Sequence, residues 1–147
     1  MFDENYESKL NEIRESNDKH LESYAKWLED KKLSTKTINK HLNNVDFYIN
    51  YYLTYYDAND VTSGCYSIDG FLGNFFIRKA LWSSVPQIKS TAASIKKFYQ
   101  CMKEQGVVEE ESYEYLCETI KENMDEWQNK MRAYDNLEYD EDEFFRW

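Results

Sequence analysis

Between Asp18 and Arg132 apolar residues recur at spacings of three and four, with charged and amide side chains in the gaps. That is the period of a helix with one buried stripe, and the alternation a half-buried strand requires is absent. A first helix is predicted over about Asp18 to Lys32, with Leu21, Tyr24, Ala25 and Leu28 on its stripe and a weaker helical turn before it at Leu10 and Ile13. Ser34 reads as an N-cap, whose hydroxyl accepts from a free N–H of the next turn. The second helix, from about Thr35 to Tyr56, buries Ile38, Leu42, Val45, Ile49, Tyr52, Leu53 and Tyr56, which fall within one narrow arc.

Asp57 to Gly64 reads as a polar loop, and Ser67 as the cap of a short third helix that buries Phe71, Leu72, Phe75, Phe76 and Leu81. Gly70 and Gly73 lower its helix propensity. Ser84, with Pro86 just behind it, starts a fourth helix with Ile88, Ala92, Ile95, Phe98, Tyr99 and Met102 inward and Gly106 at its end. A fifth, from about Glu109 to Arg132, carries Leu116, Ile120, Met124, Trp127 and Met131 at helical spacing, and its N-terminal glutamates suit the helix dipole. Phe47, Tyr48, Tyr51 and Tyr55 fall off the core arc of the second helix and are too apolar as a group to face water. The fifth helix is their expected cover, a partner the other candidate.

The chain has 147 residues, 25 of them aromatic, which is the size and composition of one domain that buries a real core without metal or disulfide. Residues 1–132 are expected to form that domain, and 133–147 an acidic tail. There is no apolar run of about 18 residues, and the start from Met1 to Ser8 is acidic, unlike a secretory leader. Cys65, Cys101 and Cys117 form no ligand-spaced pair, which fits a reducing compartment, so a cytoplasmic location is predicted.

The net charge of -10 is unevenly spread: residues 1–18 carry -4, residues 19–103 carry +5 and residues 104–147 carry -11. A modestly basic body therefore sits between acidic ends, and the total misrepresents how that body meets a polyanion. Opposite the core stripe of the second helix lie Lys36, Lys40 and Asn43, just after the hydroxyls of Ser34, Thr35 and Thr37. On the fourth helix Ser90, Ala93, Ser94 and Lys97 share the predicted outward face, with Lys89 and Gln100 beside them. Lysines, short hydroxyls and helix N-termini are the parts from which phosphate contacts are made, small residues let a helix enter a groove, and an amide reaches a base edge. Solvated surface helices carry lysines too, so composition alone does not decide between the two.

Sequence order adds to this. HLESYAKWLEDKKLSTKTINKHLNNVDFYINYYL (His20 to Leu53), SIDGFLGNFF (Ser67 to Phe76) and STAASIKKFYQCMKEQGVV (Ser90 to Val108) occur in that order. From His20 to Val108 the chain thereby resembles the N-terminal core-binding, SAM-like domain of tyrosine recombinases and phage integrases. Thr91, Ile95, Phe98, Tyr99 and Gly106 fall where that family's fourth helix has its Thr, core aliphatic, Phe-Tyr pair and terminal Gly. The resemblance implies an all-α fold, an orthogonal four-helix bundle here extended by a fifth acidic helix. It also implies contact with double-stranded DNA through the second and fourth helices. Carried over by position, the DNA-binding candidates are Ser34, Thr35, Lys36, Lys40, Lys89, Ser90, Ser94 and Lys97, with Gln100 nearest a base edge.

The family cuts DNA with a separate domain bearing two arginines, a His-x-x-Arg motif and a nucleophilic tyrosine, and no such set occurs here: His20 and His41 lie in the first third, and Arg14, Arg78, Arg132 and Arg146 are dispersed. The expectation is a non-catalytic DNA-binding module related to recombination or integration, without cofactor or metal. The rival is a protein-interaction module that keeps the bundle and does not bind DNA. Glu110 with Glu114 and Glu118 with Glu122 read as solvated pairs, and Asp140 to Glu143 lacks the spacing of a calcium loop. Cys101 reads as a buried thiol near the DNA face. The acidic end is open to three readings: a solubilising tail, a cover for the basic face, or a docking segment for a protein partner through Phe144, Phe145 and Trp147.

Overall fold

The computed structural model describes residues 4–144, with side chains through residue 137. Among the described residues the chain is all-helical, without a strand, and no helix is long and apolar enough to cross a membrane. The first helix, α1 (Glu4–Asp30), is one continuous rod in which the expected weak turn and first helix merge. Its buried line runs Ile13, Asn17, Tyr24, Leu28, so a polar residue occupies a stripe position and hides the continuity from a hydrophobic count. Asn17 is held there by donating from Nδ2 to Asn50 Oδ1 at 2.7 Å and to the Ile49 carbonyl at 3.3 Å.

Ser34 caps α2 (Thr35–Asp46), accepting from the Thr37 N–H at 3.2 Å. The helix then widens into a π-helical turn, Phe47–Tyr52, where the Leu53 N–H donates five residues back to the Tyr48 carbonyl at 3.0 Å. A second such turn, Phe71–Phe75, joins α3 (Ile68–Gly70) to α4 (Phe76–Lys79). A π turn rotates side chains differently from an α turn, so the narrow arc drawn for the second helix fails at its end. Tyr48, placed off the core arc, is fully buried, and Tyr56, placed on it, is 69% exposed.

The two π turns pack on each other. Phe71 lies 4.8 Å from Tyr48, 5.0 Å from Tyr52 and 5.8 Å from Phe47 between ring centroids. The aromatic stripe of the second helix is therefore covered by the Phe71–Phe75 turn and not by the fifth helix, and only in part, since Tyr51 and Tyr55 remain exposed. Leu81 is also corrected: the backbone leaves the helix at Ala80 (ψ 119°) and the leucine beyond it is fully exposed. Ser67 does not cap α3 with its side chain, because its hydroxyl donates to the Ser63 carbonyl at 2.9 Å.

The expected loop before Ser67 contains an ordered 3-10 turn, Val61–Cys65. Two buried tyrosines hold it, Tyr48 donating to the Gly64 carbonyl and Tyr99 to the Val61 carbonyl, both at 2.6 Å. Tyr99 belongs to α5 (Val85–Glu104), whose predicted inward residues are all buried. The helix ends as expected: Gly106 takes φ +77°, its N–H donates to the Lys103 carbonyl, and the Val107 N–H reaches back to Met102. The last helix, α6 (Glu110–Phe144), packs chiefly on α5 and also on α3, α4 and the Phe71–Phe75 turn. Leu116, Trp127 and Met131 are its buried anchors, and Trp127 donates to Asp69 Oδ1 at 2.7 Å. With no Gly or Pro after Gly106 the helix runs on past Arg132 through most of the expected tail. Phe145, Arg146 and Trp147 lie outside the described residues.

The Val61–Cys65 turn generates a sharp stability prediction. A Cβ on Gly64 would stand 1.7 Å from the Tyr99 hydroxyl and 3.1 Å from the Tyr48 ring. Gly64→Ala is expected to cost at least about 2 kcal/mol, since it overpacks the site and breaks both tyrosine hydrogen bonds. Urea unfolding measures this, and a change under about 0.5 kcal/mol would contradict the packing described.

Candidate nucleic-acid interface

α2 and α5 pack along one another, and α1 packs on both. At their junction the apolar stripes give way to a polar cluster. The Ser94 hydroxyl is fully buried and lies 2.7 Å from His41 Nδ1, accepts from Asn44 Nδ2 at 2.9 Å and faces the Ser90 carbonyl at 3.2 Å. Gln87 Nε2 donates to Asn44 Oδ1 at 3.3 Å and to Thr91 Oγ1 at 3.2 Å. From α1, the Tyr24 hydroxyl donates to the Ser94 carbonyl at 3.0 Å. Ser94 is therefore not on the predicted outward face: it is buried at the edge of the α5 stripe nearest α2, where its hydroxyl joins α2 to α5 and its carbonyl takes the Tyr24 hydroxyl of α1.

The cluster tolerates either charge state of His41. With a neutral ring, the Ser94 hydroxyl donates to Nδ1. With a protonated ring, Nδ1–H donates to Ser94 Oγ while the serine hydroxyl turns to the Ser90 carbonyl. His41 is nonetheless pushed below its ordinary value, by burial first and then by the charges of Lys97 and Lys40. The charges of Lys40 of α2 and Lys97 of α5 thus both act on one imidazole, and Tyr24, the group α1 presents to the cluster, is held neutral by burial.

Of the other candidates, Thr35, Lys36, Lys40, Lys89 and Lys97 are exposed, while Ser90 and Gln100 are half-buried. Ser34 is exposed with its hydroxyl occupied by the cap. Thr35, Lys36 and Lys40 line a concavity of about 920 Å³ together with Thr37, Asn39 and Asn43, with Asn44, Gln87 and Trp82 completing the wall. No acid lines it. On α5, Ser90 and Lys97 share one line of the helix beside Ser94, whereas Lys89 and Gln100 lie roughly 60–100° further round. The α5 candidates thus form two stripes, and Lys97 is the one whose charge acts on His41 together with that of Lys40.

The acids of α6 meet a different lysine. Lys96 shares a groove with Glu114 and Glu118 of α6, while its neighbour Lys97 acts on His41 of α2. Among the described residues the one ion pair is Lys130 with Glu126 at 3.5 Å, so Lys36, Lys40, Lys89 and Lys97 are unpaired there. Cys101 is buried, and burial pushes its thiol up to about 11, which makes it a poor nucleophile. The glutamates at 110, 114, 118 and 122 are exposed, and the side chains of Asp140 to Glu143 lie outside those described. No group of three metal-ligating side chains occurs among the described residues.

His41, Asn44, Gln87 and Trp82 belong to the site and are not among the residues expected there. A signal was present for His41, which lies about 40° from Val45 at the edge of the α2 stripe, where a polar side chain needs a partner, whereas the period places Asn44 well outside the stripe. No protein-family model, curated protein or solved structure matches the chain, and the resemblance to the recombinase domain rests on its sequence blocks alone.

Ser94→Ala strands Asn44 Nδ2 and removes the His41 partner, and is expected to cost about 1–3 kcal/mol in urea unfolding. Ser90→Ala, which leaves the Ser90 carbonyl in place, should cost under about 0.5 kcal/mol. Equal effects would contradict the cluster. A pH dependence follows as well. Burial lowers both His20 and His41, with Asp60 opposing the shift at His20 and the two lysines adding to it at His41. Below pH 6.5 the unfolded chain takes up protons that the folded chain resists, so stability is full above that value and declines as the pH falls through it. Thermal unfolding should show Tm falling between about pH 7 and 5.5, with a shallower fall in His41→Gln.

Proposed function

We propose that this chain is a non-catalytic DNA-binding module. On this reading its sequence blocks, which resemble the core-binding domain of tyrosine recombinases, imply a SAM-like, orthogonal arrangement of the helices and a role in, or descent from, site-specific recombination or integration. What carries this reading is a concavity lined by Lys36 and Lys40 and by no acid, on a face where the charges of Lys40 and Lys97 both act on His41. Lys36, Lys40 and Lys97 neutralise backbone phosphates there, with Thr35 at the α2 N-terminus adding a hydroxyl, and Lys89 meets the backbone further along α5. Asn43, Ser90 and Gln100 are the polar groups nearest base edges. Ser94 acts one layer below by holding α2 and α5 in register.

Four phosphate contacts imply that log affinity falls with log salt at a slope of about -3.6, or roughly a hundredfold between about 50 and 200 mM salt. Fluorescence anisotropy of a mixed-sequence duplex with the full chain measures this. Lys40→Glu with Lys97→Glu should weaken binding at least about tenfold and flatten the slope, with the helical circular dichroism unchanged. Full affinity in that folded double variant would remove the proposed face.

A second reading draws on Tyr51, Tyr55, Tyr56 and Leu81, whose exposure is more than a surface with no partner needs. On that reading the bundle is a protein-interaction module, and absence of DNA binding by the full chain at low salt would favour it.

A further inference from the structure

The link between α4 and α5 places two large apolar side chains outside the core, Leu81 fully exposed and Trp82 52% exposed. Trp82 is nevertheless held. Its ring packs edge-on with Phe47 at 5.0 Å and 71° and with Phe76 at 6.3 Å and 78°. The backbone beside it is tied down by the Ser83 N–H donating to the Ala80 carbonyl at 3.1 Å and the Ser83 hydroxyl to the Ile77 carbonyl at 3.3 Å, and Ser84 caps α5 just beyond. The indole therefore offers a wide apolar surface in one fixed position.

That surface forms a wall of the same concavity that Lys36, Lys40, Asn39 and Asn43 line. A rigid, half-exposed indole beside two unpaired lysines has the parts that hold a nucleotide. The ring stacks on a base at little entropic cost, the lysines take the adjoining phosphate, and the amides offer donors and acceptors to the base edge. A base paired within a duplex shows its edges and not its faces, so a stack of this kind takes a base that is out of the helix.

We infer that this groove binds an unpaired nucleobase stacked on Trp82, with the adjoining phosphate held by Lys36 and Lys40, in the DNA that the α2–α5 face grips. The inference rests on the DNA-binding reading and adds a preference for distorted or unpaired sites.

The test uses the full chain and three labelled duplexes that differ at one position: fully paired, with one extrahelical adenine, and with an abasic residue in its place. The duplex with the extrahelical base should bind about tenfold tighter than the other two. Trp82→Ala should erase that preference, and Trp82→Phe, which keeps a ring against Phe47 and Phe76, should retain part of it. Replacing the extrahelical adenine by 2-aminopurine gives a readout in the unaltered protein, since stacking on the indole quenches its fluorescence. Equal affinity for the three duplexes, no quenching, or a preference that survives in Trp82→Ala would overturn the inference. If the paired duplex is still bound and is lost in Lys40→Glu with Lys97→Glu, the DNA-binding reading stands without it. If no duplex binds, both fall.

Discussion

The Ser94 hydroxyl lies where α1, α2 and α5 meet, and the arrangement of the exposed face depends on the bonds made there. His41 and Asn44 reach it from α2, the Ser90 carbonyl from one turn back on α5, and Tyr24 closes the same turn from α1. Each such bond contributes only about 1 kcal/mol net. Their larger effect is on register: sliding α2 along α5 by a turn would leave several buried polar groups without partners, at a cost of about 1–3 kcal/mol each. An apolar seam would allow neighbouring registers at smaller cost, and with them variable distances between Lys40 and Lys97. The polar seam allows one.

The same seam explains how a chain with a net charge of -10 presents a basic face. α6 carries 13 of the 28 acids and packs on the flank of α5 that bears Lys96, while the charge of Lys97 acts on His41 of α2. Exposed charges further apart than a Debye length, about 8 Å at physiological salt, act weakly on one another. The acids of α6 therefore lower the long-range attraction for a polyanion more than they lower the contact energy at Lys40 and Lys97. An on-rate that responds strongly to salt is the consequence.

The helices, their caps at Ser34 and Ser84 and the stop at Gly106 were legible in the sequence because each follows from local chemistry, a period or a side chain within one turn. What was not legible arose from long-range contacts. The π turns at Phe47–Tyr52 and Phe71–Phe75 have no period of their own, and each is stabilised by the aromatic rings of the other. That displaced Tyr48 inward and Tyr56 outward. Asn17 broke the apparent stripe of α1 because its partner, Asn50, is 33 residues away. At the candidate site the lysines could be placed on exposed faces from spacing alone. Ser94 could not be placed, because residues at the rim of a stripe turn inward or outward according to what the neighbouring helix offers, and His41 and Asn44 offered hydrogen bonds.

The most direct test of the central claim follows the imidazole resonances of the two histidines by NMR through a pH titration, in the free chain and with saturating duplex. A phosphate seated between Lys40 and Lys97 offsets the charges that disfavour protonation of His41. The His41 midpoint should therefore rise on DNA binding while that of His20, set by burial and by Asp60, stays in place. Saturable DNA binding that leaves the His41 midpoint unmoved would contradict that claim.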